Sequence, residues 1–241
     1  MKILYRIYQL FIALPIGLLA TFITAIVTII GCALGFRRVF GYYPGRCWSW
    51  FLIRLFFLPV KVEGRENLSA GQSYIFCPNH QGAFDIFLVY GFLHRNFKWM
   101  LKASLRKVPF VGKACESAGF IFIDNHSPKR IQQSYAQARK TLQGAMSLVV
   151  FPEGRRTFTG EMGQYKRGAF MLADDLQLPV VPITIEGSFR VMPRTRDFHF
   201  VIWHPLRLVI HKPVHPIGKG TENINYLLET SLAATKSALG K

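Results

Sequence analysis

The sequence predicts an α/β domain with a mixed sheet flanked by helices, preceded by an N-terminal membrane-associated helical hairpin. Residues 7–36 contain no Asp, Glu, Lys, Arg or His, although hydrophobic residues make up 50% of the whole chain. After residue 59, short β-like apolar runs alternate with segments of helical spacing. We therefore expect residues 1–59 to form the membrane-anchoring helices and residues 60–241 to form the α/β domain.

The uncharged N-terminal run is long enough to cross a bilayer, since about 20 apolar residues suffice for a helix. Lys2 and Arg6 precede it, as in a signal peptide, but the run is longer than a usual signal core and leads directly into Arg37 and Arg38. This pattern favours a retained anchor. Pro15 and Gly17 are expected to kink the helix.

A second apolar segment at residues 48–58 carries Trp48 and Trp50 together with Arg54. Aromatic rings and snorkelling arginines are typical of a helix that lies at the membrane interface. We expect a turn at residues 41–45, between the two helices. If the first helix spans, the excess of Lys and Arg after it predicts that the remainder of the chain faces the cytoplasm.

The charge distribution predicts an anionic membrane partner. The chain has 30 Lys+Arg against 13 Asp+Glu, a formal charge of +17, and its first acidic residue is Glu63. Basic residues beside apolar helices suit lipid headgroups. The sequence contains no recognisable nucleic-acid-binding module, and we expect no nucleic-acid partner.

The remaining pattern predicts the elements of the α/β domain. We expect helices at residues 85–92, 127–143, 165–176 and 221–239, and strands at residues 73–77, 97–102, 120–124, 147–151, 180–185, 198–203 and 207–211. Such alternation is typical of a mixed sheet that is covered by helices.

The residue pair with the clearest chemistry is His80 and Asp85. His80 follows a predicted strand, and Asp85 begins the next helix five positions later. A carboxylate that accepts from one imidazole nitrogen makes the other nitrogen a better base, which could activate a hydroxyl of the substrate. Taken alone, this spacing is a weak signal that occurs often by chance, and a solvated histidine with a helix-capping aspartate is the simpler interpretation.

Three further segments change that interpretation. Residues 119–125 and 151–157 each run from an apolar strand into a polar turn, and residues 181–184 form a buried strand that contains Pro182. With the Asn79–Asp85 segment, these blocks resemble the glycerolipid acyltransferase family, specifically the bacterial 1-acylglycerol-3-phosphate acyltransferase type. The resemblance runs from about residue 62 to residue 184 and implies a glycerol-3-phosphate acyltransferase-like fold.

The resemblance implies a role for each matched residue. His80 is the general base and Asp85 orients it, whereas Pro182 belongs to the acyl-donor side or to packing. At the substrate-binding site, Glu153 and Gly154 shape the acceptor pocket, Arg156 contacts phosphate and Asn79 holds the turn.

Two positions depart from the family pattern. Gly82 stands where the family commonly has Ser, and we interpret this change as tolerated. Asn125 stands where an arginine usually binds the acceptor phosphate, and Asn brings neither charge nor a bidentate fork. Either the phosphate is bound by Lys102, Arg155, Arg156 or Lys166, or the head of the acceptor is not a phosphomonoester.

We therefore expect an O-acyltransferase that uses acyl-CoA or acyl-ACP as co-substrate and 1-acylglycerol-3-phosphate as acceptor. Cysteine and histidine spacings suggest neither a metal site nor a disulfide, and no cofactor is expected. Two alternatives remain: an O-acyltransferase for another lysolipid, such as a lyso-aminolipid, and a non-catalytic membrane protein that binds anionic lipid. Cys77 lies in an apolar strand and is interpreted as core packing rather than as a nucleophile.

Overall fold

The N-terminal anchor prediction corresponds to one long helix. The computed structural model describes residues 2–123, 127–142, 146–195 and 199–240. Helices α1 (Lys2–Tyr8) and α2 (Leu14–Ala33) are joined without a break by a π-helical turn at Gln9–Ala13. The combined helix, Lys2–Ala33, is long and apolar enough to cross a membrane, and only 11% of its most apolar 18-residue stretch is buried inside the protein.

The π turn lies just before Pro15, at the point where the sequence predicts a kink. In this turn the N–H of Leu14 donates to the carbonyl of Gln9, five residues earlier. A proline disturbs the regular α-helical ladder because it has no N–H and its ring crowds the preceding turn. The wider π turn accommodates this disturbance. Gln9, the first residue of the turn, is buried against the body of the protein.

The second half of the hairpin packs into the core of the protein. Helix α3 (Arg37–Phe40) leads to α4 (Tyr43–Leu55), where Pro44 occupies the first turn. The predicted turn at residues 41–45 is therefore limited to residues 41 and 42. The helix can include the proline because the first N–H groups of a helix have no partner within the helix, and proline lacks an N–H. One face of α4 is buried at Leu52 and Ile53, while Trp50 remains exposed.

The described strands form one mixed sheet, as predicted. The strands are β1 (Val60–Glu63), β2 (Ile75–Pro78), β3 (Phe97–Lys102), β4 (Ile121–Ile123), β5 (Ser147–Val149), β6 (Val180–Glu186) and β7 (Leu206–Ile210). Their order is β1-β7-β6-β2-β5-β3-β4. Neighbouring strands pair in parallel except for β6 and β7, which are antiparallel.

Helices cover both faces of this sheet. They are α5 (Asp85–Phe92), α6 (Val111–Ser117), α7 (Pro128–Leu142), α8 (Gly168–Leu176), α9 (Ser188–Val191) and α10 (Thr221–Ser237). Alternate residues of β2 point to opposite faces: Phe76 joins a core cluster with residues of α4 and α5, and Ile75 joins a second cluster with residues of α7, α8 and α10. The hairpin and the α/β domain thus share one core.

One predicted strand is wrong. Residues 199–203 have no strand pairing, and residue 198 lies outside the described residues. The reason is tertiary: the side-chain amide of Gln9 takes both backbone groups of Val201, donating to its carbonyl at 2.8 Å and accepting from its N–H at 2.8 Å. A residue 192 positions earlier in the chain thus replaces a neighbouring strand. The short elements β1, α6 and α9 carry too few residues for a visible periodicity and were not predicted.

Candidate active site

The candidate site lies along one edge of the sheet. Strands β2, β5 and β3 run parallel, so their carboxyl ends meet at the same edge. His80 follows β2, the segment 151–157 follows β5, and Lys102 ends β3. The predicted catalytic and cationic residues are therefore brought to the same edge by the strand order.

His80 and Asp85 contact each other as predicted. Asp85 is fully buried at the start of α5, and its Oδ2 lies 2.7 Å from Nδ1 of His80. The same oxygen accepts the backbone N–H groups of Gln81 at 2.6 Å and Gly82 at 2.9 Å. With Nδ1 facing the carboxylate, Nε2 is the ring nitrogen available to a substrate, and it has no hydrogen-bond partner among the described residues.

Glu153 holds the backbone beside the His80 ring. Its Oε1 accepts the N–H of His80 at 2.7 Å, and its Oε2 accepts the N–H of Gly163 at 2.7 Å. The carbonyl of His80 accepts the N–H of Thr157 at 3.1 Å. Burial raises the pKa of Glu153 above its usual range, and the two N–H donors oppose that shift. The segment after β5 therefore binds both backbone groups of His80, its N–H and its carbonyl.

An aromatic stack supports the face of the His80 ring, and sequence reasoning missed it. Phe151 lies against the imidazole with ring centroids 3.9 Å apart and an interplanar angle of 16°. Trp99 stacks behind Phe151 at 5.7 Å and 15°. Phe151 is the first residue of a recognised block, but an aromatic directly after an apolar strand is usually interpreted as core. The stack restrains rotation of the ring and keeps Nε2 directed outward.

Asn79 connects the two strands beside the site. Its Oδ1 accepts the N–H of Ile185 at 2.7 Å, and its Nδ2 donates to the carbonyl of the same residue at 3.1 Å. The side chain is fully buried. Asn79 was predicted to hold the turn and to bind substrate; its contacts favour the first role, because both ends of its amide are committed to β6.

The predicted cations differ in their surroundings. Gly154 has a φ of +72°, and a Cβ added to it would lie 3.1 Å from Nζ of Lys166, so these two residues are adjacent. Lys102, Arg155 and Lys166 are exposed, and Arg156 is half-buried. Within the described ranges, none of these four side chains has a carboxylate partner. Asn125 lies outside the described residues.

The close approach of α9 explains Gly82. A Cβ at this position would lie 2.3 Å from the carbonyl oxygen of Ser188 and 2.3 Å from its hydroxyl oxygen. No side chain fits there without displacing backbone. The packing of α9 thus adds a structural reason for glycine at this position, beyond the interpretation of Gly82 as a tolerated departure.

Two other residues of interest are part of the sheet interior. Pro182 lies in β6, paired in register with Cys77 of β2, and both are buried. Burial raises the pKa of the Cys77 thiol far above its usual range, so the nucleophilic thiolate is not available. These surroundings agree with a packing role for Cys77, and they make packing the simpler of the two roles predicted for Pro182.

Comparison with known proteins identifies related sequences. A family model described as Acyltransferase matches residues 59–186. The 1-acyl-sn-glycerol-3-phosphate acyltransferase LPAT1, chloroplastic, of Arabidopsis thaliana is 30% identical over 89% of this chain and 61% of its own length. The 1-acyl-sn-glycerol-3-phosphate acyltransferase alpha of Homo sapiens is 32% identical over 73% of this chain and 60% of its own length. The chain thus spans about three fifths of the length of these relatives.

A solved structure shares the fold. The crystal structure of the 1-acyl-sn-glycerophosphate (LPA) acyltransferase PlsC from Thermotoga maritima superposes with a TM-score of 0.71 and 23% sequence identity. The match covers 95% of this chain and 99% of that chain. The likeness therefore includes the N-terminal helices as well as the α/β domain.

Proposed function

Because the chain belongs to the acyltransferase family, we propose that it transfers an acyl group from acyl-CoA or acyl-ACP to the free hydroxyl of 1-acylglycerol-3-phosphate. The observation that carries this proposal is the 2.7 Å contact between His80 Nδ1 and Asp85 Oδ2, with Nε2 left for the substrate. The relatives named as 1-acyl-sn-glycerol-3-phosphate acyltransferases support the choice of acceptor.

In the proposed reaction, Nε2 of His80 takes the proton of the acceptor hydroxyl as that oxygen attacks the thioester carbonyl. The buried carboxylate of Asp85 stabilises the imidazolium that forms. When the tetrahedral intermediate collapses, the C–S bond breaks and the imidazolium returns the proton to the leaving thiolate. The products are an ester and a free thiol, so no further reactant is needed.

The acceptor phosphate would be bound by cations of the same edge. Lys166 lies beside Gly154, and Arg156 belongs to the segment whose Thr157 N–H binds the carbonyl of His80. Cations without carboxylate partners are free to bind a phosphate dianion by charge-assisted hydrogen bonds. In this arrangement the loss of an arginine at position 125 is compensated by the segment after β5.

The enzyme would act at a membrane surface. The exposed apolar helix Lys2–Ala33 supports membrane attachment, and the net charge of +17 supports a catalytic domain on the cytoplasmic face, where the leaflet carries anionic lipids. Both the acceptor and the product of the proposed reaction are membrane lipids, so the attachment keeps the site next to its substrates.

An acceptor panel tests this proposal. Purified protein in phospholipid vesicles is supplied with one labelled acyl-CoA or acyl-ACP and, separately, with lysophosphatidic acid, lysophosphatidylcholine or a lyso-aminolipid. We expect labelled phosphatidic acid as the main product. Preferential acylation of the lyso-aminolipid would contradict lysophosphatidic acid as the acceptor, and it would indicate that the enzyme with Asn125 prefers a different head group. An absence of acylated product with every donor–acceptor pair would contradict the acyl-transfer reaction.

A further inference from the structure

Three large apolar side chains form a patch on the surface outside the active site. Phe57, Ile202 and Trp203 are 62%, 57% and 54% exposed, and we call them the Trp203 patch. They are held together by a hydrogen bond of 2.9 Å from Nε1 of Trp203 to the carbonyl of Phe57. Contiguous exposed aromatic and aliphatic surface on a folded protein marks a binding surface.

The backbone at Phe57 is strained. Its φ is +55°, a conformation that bulky residues avoid because the Cβ crowds the carbonyl oxygen. The side chain gains little burial from this conformation, since most of its surface faces outward. The conformation ends α4 in a Schellman motif, in which the N–H of Leu58 donates to the carbonyl of Ile53 at 3.1 Å and the N–H of Phe57 donates to that of Arg54 at 2.9 Å. The exposed ring of Phe57 is therefore held in place by the end of the helix.

The patch is fastened to the start of the membrane-length helix. Gln9 makes two hydrogen bonds of 2.8 Å to the backbone of Val201, the residue before the patch. Tyr8 donates to the carbonyl of Leu55 at 2.8 Å, and its ring lies 5.4 Å from that of Phe57. The loop at residues 199–203 and the end of α4 therefore form one rigid surface with the first turns of the helix.

The surroundings of the patch select a lipid bilayer as its partner. The adjoining helix exposes Leu4 and Phe11, so the apolar surface of the patch continues that of the helix. Arg6 lies over the ring of Phe200 at 5.5 Å, Arg54 lies over Trp50 at 5.7 Å, and neither has a carboxylate partner within the described part of the chain. Tryptophan beside unpaired arginine is typical of the zone between acyl chains and anionic headgroups.

We propose that the Trp203 patch, in which Ile202 and Trp203 are distant in sequence from the N-terminal hairpin, is a membrane-contacting element that inserts into the headgroup–acyl boundary of an anionic bilayer. The proposal rests on the membrane attachment that is part of the proposed function. It has a consequence for the active site, because the N–H of Ile202 donates to the carbonyl of Val191 at 2.9 Å, at the end of the helix whose Ser188 lies against Gly82. Through α9, the patch is therefore connected to the turn that carries His80.

Fluorescence quenching tests the insertion directly. The full chain is reconstituted in phosphatidylcholine–phosphatidylglycerol vesicles with or without brominated acyl chains, and the emission of Trp203 is obtained as the difference between the wild type and Trp203→Phe. We expect this difference emission to fall by about half or more in brominated lipid, and to be protected from acrylamide. Equal emission in both lipids with full access to acrylamide would overturn the proposal.

Activity provides a second test with a matched control. In the double variant Ile202→Ser, Trp203→Ser, we expect the KM for lysophosphatidic acid held in vesicles to rise on the order of tenfold, because two apolar anchors are lost. The kcat with acceptor dispersed in detergent micelles should stay within about twofold, as the catalytic residues are untouched. Ile217→Ser, which removes an apolar side chain that is 60% exposed in the segment before α10, should change neither value.

The two proposals fail in different ways. If no acyl product forms but Trp203 is quenched by brominated lipid, the patch proposal stands and the acyl-transfer proposal falls. If product forms normally and the double variant matches the wild type on vesicles, the patch proposal falls alone.

Discussion

At the scale of single residues, the carboxylate of Asp85 organises the turn that carries the His80 ring. One oxygen accepts three donors, from the His80 imidazole and from the N–H groups of Gln81 and Gly82. Because the two peptide donors fix the carboxylate, the carboxylate can in turn fix the orientation of the imidazole. The turn is thus ordered before any substrate binds.

Gly82 is a position in this turn where an added side chain has no room. In Gly82→Ser the added Cβ meets the backbone oxygen of Ser188, so either α9 or the turn must move. We expect a loss of about 2 kcal/mol or more in the free energy of unfolding, as for an overpacked interior position, and a fall in kcat of at least about tenfold as the turn moves. Both are measured on purified protein in detergent, by unfolding and by initial rates. The matched control is Gly218→Ser, where an added Cβ meets nothing within 4 Å. Equal stability and activity of the two variants would contradict the packing argument.

At the scale of elements, the sequence predicts a helix or strand best where the residues of the segment itself determine its structure. Helix α5 and strand β3 were predicted with the bounds that the structure gives, because an apolar run with clear flanking breaks determines each. The contact of His80 with Asp85 was also predictable, since both residues belong to one short turn. The stack of Phe151 on His80 was not, because the two rings come from the segments that follow β2 and β5, and only the register of these strands brings them together. The loop at residues 199–203 failed for the same reason, since its partner is Gln9.

A buried lysine links two elements and gives the protein a specific pH dependence. Lys98 of β3 donates to the carbonyl of Ala118, beyond the end of α6, at 2.7 Å, and burial lowers its pKa from 10.5 to about 8. Below pH 8 the lysine is charged in both the folded and the unfolded chain, and the folded state bears the cost of burying that charge. Between pH 8 and 10.5 the folded chain loses the proton first, so the contribution of Lys98 to stability increases as pH rises.

The variant Lys98→Met keeps the apolar stem and removes the titration. We expect the free energy of unfolding of the wild type, relative to Lys98→Met, to increase by roughly 3 kcal/mol at most from pH 8 to pH 10.5. Denaturant unfolding in detergent at several pH values measures this difference. Lys113→Met, at an exposed position of α6, should show no such change. A flat difference for Lys98→Met would show that the buried amine titrates normally.

At the scale of the whole molecule, the fold joins a membrane-length helix to a sheet edge that carries the proposed catalytic residues. The hairpin is fixed to the domain by the burial of Ile53 in the shared core and by the pairing of Gln9 with Val201. The net charge of +17 gives the protein a general attraction to anionic lipid. Under the proposed function, these features hold the site at a constant position relative to lipid substrates.

The general base is the central claim, and its substitution tests the account most directly. Wild type, His80→Ala and the exposed control His215→Ala are reconstituted in vesicles, and the rate of acyl transfer to lysophosphatidic acid is measured together with thermal unfolding. The account predicts that His80→Ala lowers kcat by about 10²- to 10⁴-fold with little change in melting temperature, whereas His215→Ala keeps the wild-type rate. A His80→Ala protein that is folded and transfers acyl groups at the wild-type rate would contradict the account.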